Sequence, residues 1–369
     1  IPQGITAGEK IIMQNFMGKD GFQWFVGVVE DRQDPQKLGR VRVRCLGYHT
    51  EVHEDLKTED LPWAHPMNPI TSATISGIGQ TPLGPVEGTW VVGFFQDGTD
   101  AQTPIVMGTL PGVPTSLPTK DGDKGFQDRL NGNFPKYVNE PDVNRLAVND
   151  TDNPHPTLTL RKADRDTAVG VANTDVTTVV DDIVQADQSA FWDEPETPYD
   201  ATYPHNHVME TEGGHLREYD DTVNAKRIHE RHASGTAYEI LNDGTRITRV
   251  VSNNYQITAE DDFVHIKGTG RQTFDKGLRV RVNGSGAAGN NYSIEVGNGS
   301  NLNIEVNGGN INLTTLQTGA DGGDININAS RKLNIQAGTG VELTTNSGDI
   351  NMNTVPGKVN IKGDEINLN

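Results

Sequence analysis

The 369 residues include 50 acidic and 31 basic side chains, a formal net charge of −19. That balance repels polyanions and argues against sequence-specific nucleic-acid binding. Aromatics are only 6% of the chain and glycine contributes 41 residues, which disfavours one large globular core and suits a compact module joined to a repeat. The single cysteine, Cys45, rules out an intramolecular disulfide framework. No apolar run is long enough to cross a membrane as a helix, and residues 1–10 lack a basic stretch followed by an apolar one. A soluble protein without a classical secretion signal is expected.

Residues 1–22 carry Ile11, Ile12, Phe16 and Met17 at spacings that suit one helical turn or an adherent N-terminal arm. Residues 23–112 read as a small closed barrel. Residues 24–29 (WFVGVV) form a strand, 30–39 a connection rich in turn formers, and 40–45 (RVRVRC) a second strand. In that second strand Arg40, Arg42 and Arg44 share one face, and Val41, Val43 and Cys45 the other. The three arginines have two readings: local ion pairs with Glu30 and Asp31 across the ladder, or a surface for an acidic partner. Further strands are expected around Trp63, over 89–95 and over 104–108, with no helix between them. The glycine-rich passage at 76–79 lacks the lysine and following helix of a phosphate loop. Cys45 has no adjacent activating group and reads as a core thiol.

Residues 113–202 change character. The stretch 111–204 holds ten of the nineteen prolines, with many Asp and Asn and little periodicity. It reads as a linker with a short helix expected around 175–188. From 203 to 289 strand alternation returns at 238–240, 246–250 and 255–257, with turns at Gly213-Gly214 and Asn242-Asp243-Gly244.

Several strings in these regions resemble one known family. WFVGVVEDRQDPQKLGRVRVR at 24–44, LPW at 61–63, PITSATISGIG at 69–79 and GPVEGTWVVG at 84–93 are similar to the OB-fold domain of the central spike proteins of contractile phage-tail baseplates, a family shared with type VI secretion spikes. YPHNHVMETEGGHLREYDDT at 203–222 and IHERHASGTAYEILNDGTRITRVVSNNY at 228–255 resemble the point where those spikes enter a trimeric β-helix. The resemblance implies a tail hub at the barrel end, with Trp24, Arg40, Arg42, Arg44 and Trp63 as candidate docking residues. It also leads one to expect a lysozyme domain between barrel and needle. A muramidase needs a carboxyl pair in a folded cleft, and the proline-rich stretch reads as too short and irregular for one. A variant without that domain is therefore expected, with peptidoglycan cleavage supplied by a separate protein.

The last eighty residues, 290–369, are a run of two-residue apolar beats: Ile294/Val296, Leu302/Ile304, Ile311/Leu313, Ile325/Ile327, Leu333/Ile335, Val341/Leu343, Ile350/Met352, Val359/Ile361 and Ile366/Leu368. A polar residue stands inside every beat, so each is a short strand with one apolar face. Glycine-rich turns separate them. Beats of this size cannot enclose a core within one chain, whereas three chains wound about one axis can each donate a stripe to it. The region is read as an intertwined triple-stranded β-helix or β-prism of a homotrimer, and the fold class as all-β. The competing reading is a monomeric parallel solenoid, whose coils are usually about twenty residues long.

His205 and His207 share a strand face and are the weak candidates for metal ligands. Some spikes of the resembled family carry a His-x-His iron site, but at the needle tip, whereas this pair stands at the collar. A hydrogen-bonded pair with no metal and no cofactor is the reading adopted. The paired acids at 181/182, 220/221 and 261/262 lack the graded spacing of a calcium loop. The resulting expectation is a non-enzymatic trimeric spike that docks on a hub, contacts the host envelope transiently and carries a PAAR-type tip protein at its C-terminal end. A secretion-system or extracellular injection spike and a tailspike depolymerase are the alternatives; the second needs aromatic sugar platforms, and only Tyr292 remains after Tyr255 among Trp and Tyr.

Overall fold

A computed structural model of the chain describes residues 22–116, 134–168, 183–184, 191–192, 194–272, 274, 276–283, 291–316, 323–354 and 356–364, with 165–168, 183–184 and 191–192 described by backbone alone. The chain divides into two units, one ending at Leu278 and the other beginning at Arg279. The expected N-terminal arm up to residue 21, most of the helix expected at 175–188, and Ile366 and Leu368 lie outside the described residues.

Five strands, β1 (Trp24–Asp31), β2 (Val41–Cys45), β3 (Trp63–Pro66), β4 (Trp90–Phe95) and β5 (Pro104–Thr109), close into a barrel in the order β1-β2-β3-β5-β4. Alternation decides what faces inward. Phe25 and Val29 of β1, Val41, Val43 and Cys45 of β2, Ala64 of β3, Val91 and Phe95 of β4 and Val106 of β5 form the buried core. Each such aliphatic or aromatic side chain contributes about 1.5–3 kcal/mol. So small a barrel has no room for a side chain at every inward position. A Cβ on Gly27 would stand 2.5 Å from Val43 Cγ1, and one on Gly93 2.1 Å from the Ile105 carbonyl oxygen, which explains glycine at both places. Pairing of β1 with β2 slips between Val29 and Asp31, so Glu30 is a bulged residue and its side chain turns beneath the sheet.

Two helices follow the barrel, α1 (Arg145–Val148) and α2 (Pro156–Ala168). Then comes the two-residue pair β6 (Ile183–Val184) and β7 (Phe191–Trp192). Neither helix shows an apolar stripe in the sequence. α2 begins with proline at its first helical position, where a missing N–H costs nothing. The face it presents is Thr157, Arg161 and Asp164, at helical spacing; Thr157 and Asp164 are buried and Arg161 partly so.

A meander of five antiparallel strands completes the first unit: β8 (Asn206–Glu210), β9 (Leu216–Asp220), β10 (Arg227–Arg231), β11 (Ala237–Ile240) and β12 (Arg246–Arg249), each paired with the next. From residue 252 onward every described residue is exposed and none is assigned to a strand. Local turns remain, such as the Ser300 N–H donating to the Gly297 carbonyl at 3.2 Å, with Gly299, Gly308 and Gly348 at positive φ.

Candidate assembly surfaces

Three surfaces carry the residues singled out by sequence. The first is the apolar stripe. Ile325, Ile327, Leu333, Ile335, Val341, Leu343, Ile350, Met352, Val359 and Ile361 are all 49–69% exposed. The described part of the segment neither coils on itself nor buries its aliphatic side chains within one copy. Contiguous apolar exposure on this scale marks an interaction surface.

The second is the barrel exterior. Arg40 donates to both carboxylate oxygens of Asp34, through Nη2 at 2.6 Å and Nε at 3.1 Å. These bonds from Arg40 hold the Asp34 carboxyl well below the usual range. Arg42 donates to the Thr58 carbonyl at 2.7 Å, with Asp31 3.9 Å away. The Arg42 guanidinium lies 4.6 Å and that of Arg40 5.6 Å from the Trp63 ring, within cation–π range. Arg44 is buried. It grips Glu30 through Nε at 2.6 Å and Nη2 at 3.1 Å and reaches the carbonyls of Thr50 and Leu56. The local ion-pair reading therefore describes the arginines, and Arg44 is corrected from docking residue to structural one: its donors are spent on Glu30 and on the loop that follows β2. Cys45 is a core thiol whose pKa burial pushes up to about 12.

Among the barrel's strands, the most exposed apolar side chains stand on β1 and β4. Trp24 is 52% and Trp90 46% exposed. Phe22 sits 4.6 Å from Trp24, edge to face, and 5.1 Å from Phe94. Trp24, Val26, Trp90 and Val92 point outward between the inward residues Phe25, Val91 and Phe95, giving an uncharged aromatic wall. Sequence reading named Trp24 and missed Trp90, although the same alternation against Val91 exposes it.

The third surface is the sheet β8–β12. One face is closed and ionised. Arg227 Nη2 meets Glu218 Oε1 at 2.6 Å and Arg227 Nη1 meets Glu239 Oε1 at 3.3 Å. His229 Nδ1 lies 2.9 Å from Glu218 Oε2. Arg161 of α2 bonds Glu239, and Thr197 donates to Glu239 Oε1 at 2.9 Å. Arg231 donates twice to Asp164 of α2, at 2.9 and 2.8 Å, and Arg249 Nη1 meets Glu194 Oε1 at 2.7 Å. Burial raises the pKa of Glu218, but the hydrogen bond with His229 and the Arg227 charge outweigh it and hold the carboxyl below its ordinary range. Glu239 is likewise depressed, by Arg161 and Arg227 against burial. His205 and His207 are exposed. The backbone of His205 bonds Thr202 and Asp221, and His207 stands opposite Tyr219. Among the described residues no group of three metal-ligating side chains comes together.

The chain thus carries a closed five-stranded barrel, a sheet with one ionised face and an exposed apolar stripe. Residues 48–188 match the model of the Gp5 N-terminal OB domain. The chain is 40% identical over 281 residues to Protein Gp5 of Vibrio phage KVP40, a match covering 69% of this chain and 63% of that protein. It is 46% identical over 127 residues to the pre-baseplate central spike protein Gp5 of Enterobacteria phage T4, covering 33% of this chain and 21% of that one. The chain thus spans less than two thirds of the length of either relative. Its similarity is to Gp5 proteins of phages, one of them named as a pre-baseplate central spike protein.

Proposed function

We propose that this chain is the needle-forming part of a homotrimeric central spike, which docks through its barrel on a tail hub and is driven through the host envelope when the sheath contracts. The observation that carries this reading is the exposed stripe. Side chains that an isolated copy leaves about half or more in water, at beats seven to nine residues apart but for one step of fourteen, acquire a dry environment once three copies wind together. In such a rod the backbone bonds between chains, and no local unit opens without breaking contacts of all three. The role is mechanical and non-enzymatic. A separate tip protein of the PAAR type would cover the C-terminal end.

Docking is assigned to the aromatic wall, with Trp24 and Trp90 as anchors, since exposed tryptophans make the strongest interface contacts. Trp63 is engaged by Arg40 and Arg42 and serves the barrel itself. The experiment is incorporation. A Trp24→Asp/Trp90→Asp spike is expected to keep the oligomeric state of the parent but to be missing from assembled baseplates. Incorporation at the parental level would exclude this wall as the docking surface.

A further inference from the structure

Among the described residues no strand of the barrel packs broadly against a strand of the sheet β8–β12. A cleft of about 1250 Å³ is lined by both and by the stretch that joins them, through Val28, Leu110, Tyr137, Val143, Leu160 and Gly213 among others. Two parts of a chain that share no large apolar interface ordinarily move relative to each other. Residues 139–155, expected from sequence to be a linker, instead cross this gap and bond to both sides.

On the barrel side the anchor is the backbone just after β5. The Asp142 N–H donates to the Gly112 carbonyl at 2.9 Å, the Gly112 N–H donates back to Asp142 Oδ2 at 2.8 Å, and the Asn139 N–H donates to the Pro114 carbonyl at 2.7 Å. Arg145 then holds Glu140 through two bonds of 2.9 Å and lies 3.8 Å from the Tyr137 ring. On the sheet side the anchor is strand β8, at both of its ends. Leu146 is fully buried, and its carbonyl accepts from Asn206 Nδ2 at 3.0 Å and from the Tyr199 hydroxyl at 2.9 Å. Asn144 caps α1 by accepting from the Leu146 N–H at 2.9 Å, and its Nδ2 donates to Glu210 Oε2 at 2.6 Å. His155 accepts the Thr157 N–H at Nδ1, which leaves its proton on Nε2, 3.1 Å from the same Glu210 oxygen. The hydrogen bond from His155 holds the Glu210 carboxyl below its ordinary range.

We propose that residues 139–155 form a brace that fixes the barrel on the sheet, and that the brace closes on Glu210. Asn206 begins β8 and Glu210 ends it, so the brace is held along the whole strand and cannot swivel about a single point. Pro111, Pro114, Pro141 and Pro154 preset the backbone around its anchors and limit the conformations it could otherwise reach. The direct contact between the two parts is slighter. Arg32, just past β1, meets Glu212 of the β8–β9 turn at 2.8 Å while its Nε lies 3.3 Å from Glu87. The Arg32–Glu212 pair is exposed, and a pair of that kind contributes little alone. The orientation of the barrel therefore depends on the brace. Its purpose rests on the spike reading above: thrust entering at the barrel reaches the following segments without loss only where the joint between barrel and sheet is stiff.

The test uses the full chain carrying Arg32→Cys and Glu212→Cys, which removes the exposed pair and leaves the brace, with the native Cys45 buried. A short bis-maleimide is expected to join the two new cysteines within one chain, giving a product at the mass of a single chain. Adding Asn144→Ala and Glu210→Ala is expected to slow that reaction at least about fivefold, because the two ends lose their high effective concentration. An unchanged rate would overturn the brace. So would a product at the mass of two chains, which would set residue 32 against the turn of another copy. Should the combined variant not fold, Glu210→Gln alone keeps the side-chain shape and is expected to slow cross-linking about threefold; no slowing would overturn the proposal equally. The cross-link is read within one chain and sedimentation reads the number of chains, so a failed brace and a failed trimer are separate results.

Discussion

At the scale of single residues, the ionised groups inside the molecule are paired, and the pairs explain which substitutions matter. Glu30, displaced by the bulge in β1, accepts from Arg44 and also from the Thr58 hydroxyl at 2.7 Å. Glu30→Ala leaves a buried guanidinium without its partner and is expected to cost about 3–5 kcal/mol in chemical unfolding of the barrel; a loss under about 1 kcal/mol would mean that water replaces the carboxylate. Acid sensitivity follows from Glu218 and Glu239, whose folded pKa values lie below the ordinary carboxylate value. A depressed folded pKa stabilises above the unfolded pKa and is lost as pH falls through the folded one. The collar is therefore expected to hold level stability above about pH 5 and to lose it below about pH 4, as followed by the melting temperature against pH. The sequence placed Arg40, Arg42 and Arg44 on one strand face and offered two partners for them, but it did not choose. The choice came from the bulge and from the loop after β2, neither of which has a period.

Elements whose buried side is apolar were readable, and those whose buried side is ionic were not. Strand β2 alternates apolar with polar, and β1, β4 and β5 are short, largely apolar runs, so their cores follow. Helix α2 was absent from the sequence reading because its contact face is Thr157, Arg161 and Asp164, which apolar periodicity cannot register. The sheet was found as strands, yet alternation alone puts Tyr238 and Ile240 inside and Glu239 out, whereas within one copy Glu239 is buried and its neighbours are half open. Asp164→Asn tests what holds the helix down. The variant keeps the shape but removes the charge facing Arg231 and lying 4.0 Å from Arg249. It is expected to raise hydrogen exchange across α2 and β10 while leaving the barrel amides unchanged. A uniform rise over both would show that the two parts open together.

At the scale of the whole molecule, composition and repeat spacing carried most of the information. A chain poor in aromatics and rich in glycine, with beats seven to nine residues apart over its last eighty except for one step of fourteen, leaves the described stripe exposed throughout in one copy. The barrel and the collar are each backed by interactions within the chain, while the stripe is not. On the proposed reading, this difference separates the parts packed within one copy from the part that assembly would cover. The most direct measurement is the mass of the full chain in dilute solution by analytical ultracentrifugation. The account predicts a single species at three times the 40.1 kDa of the chain. A stable monomer of that mass would contradict it.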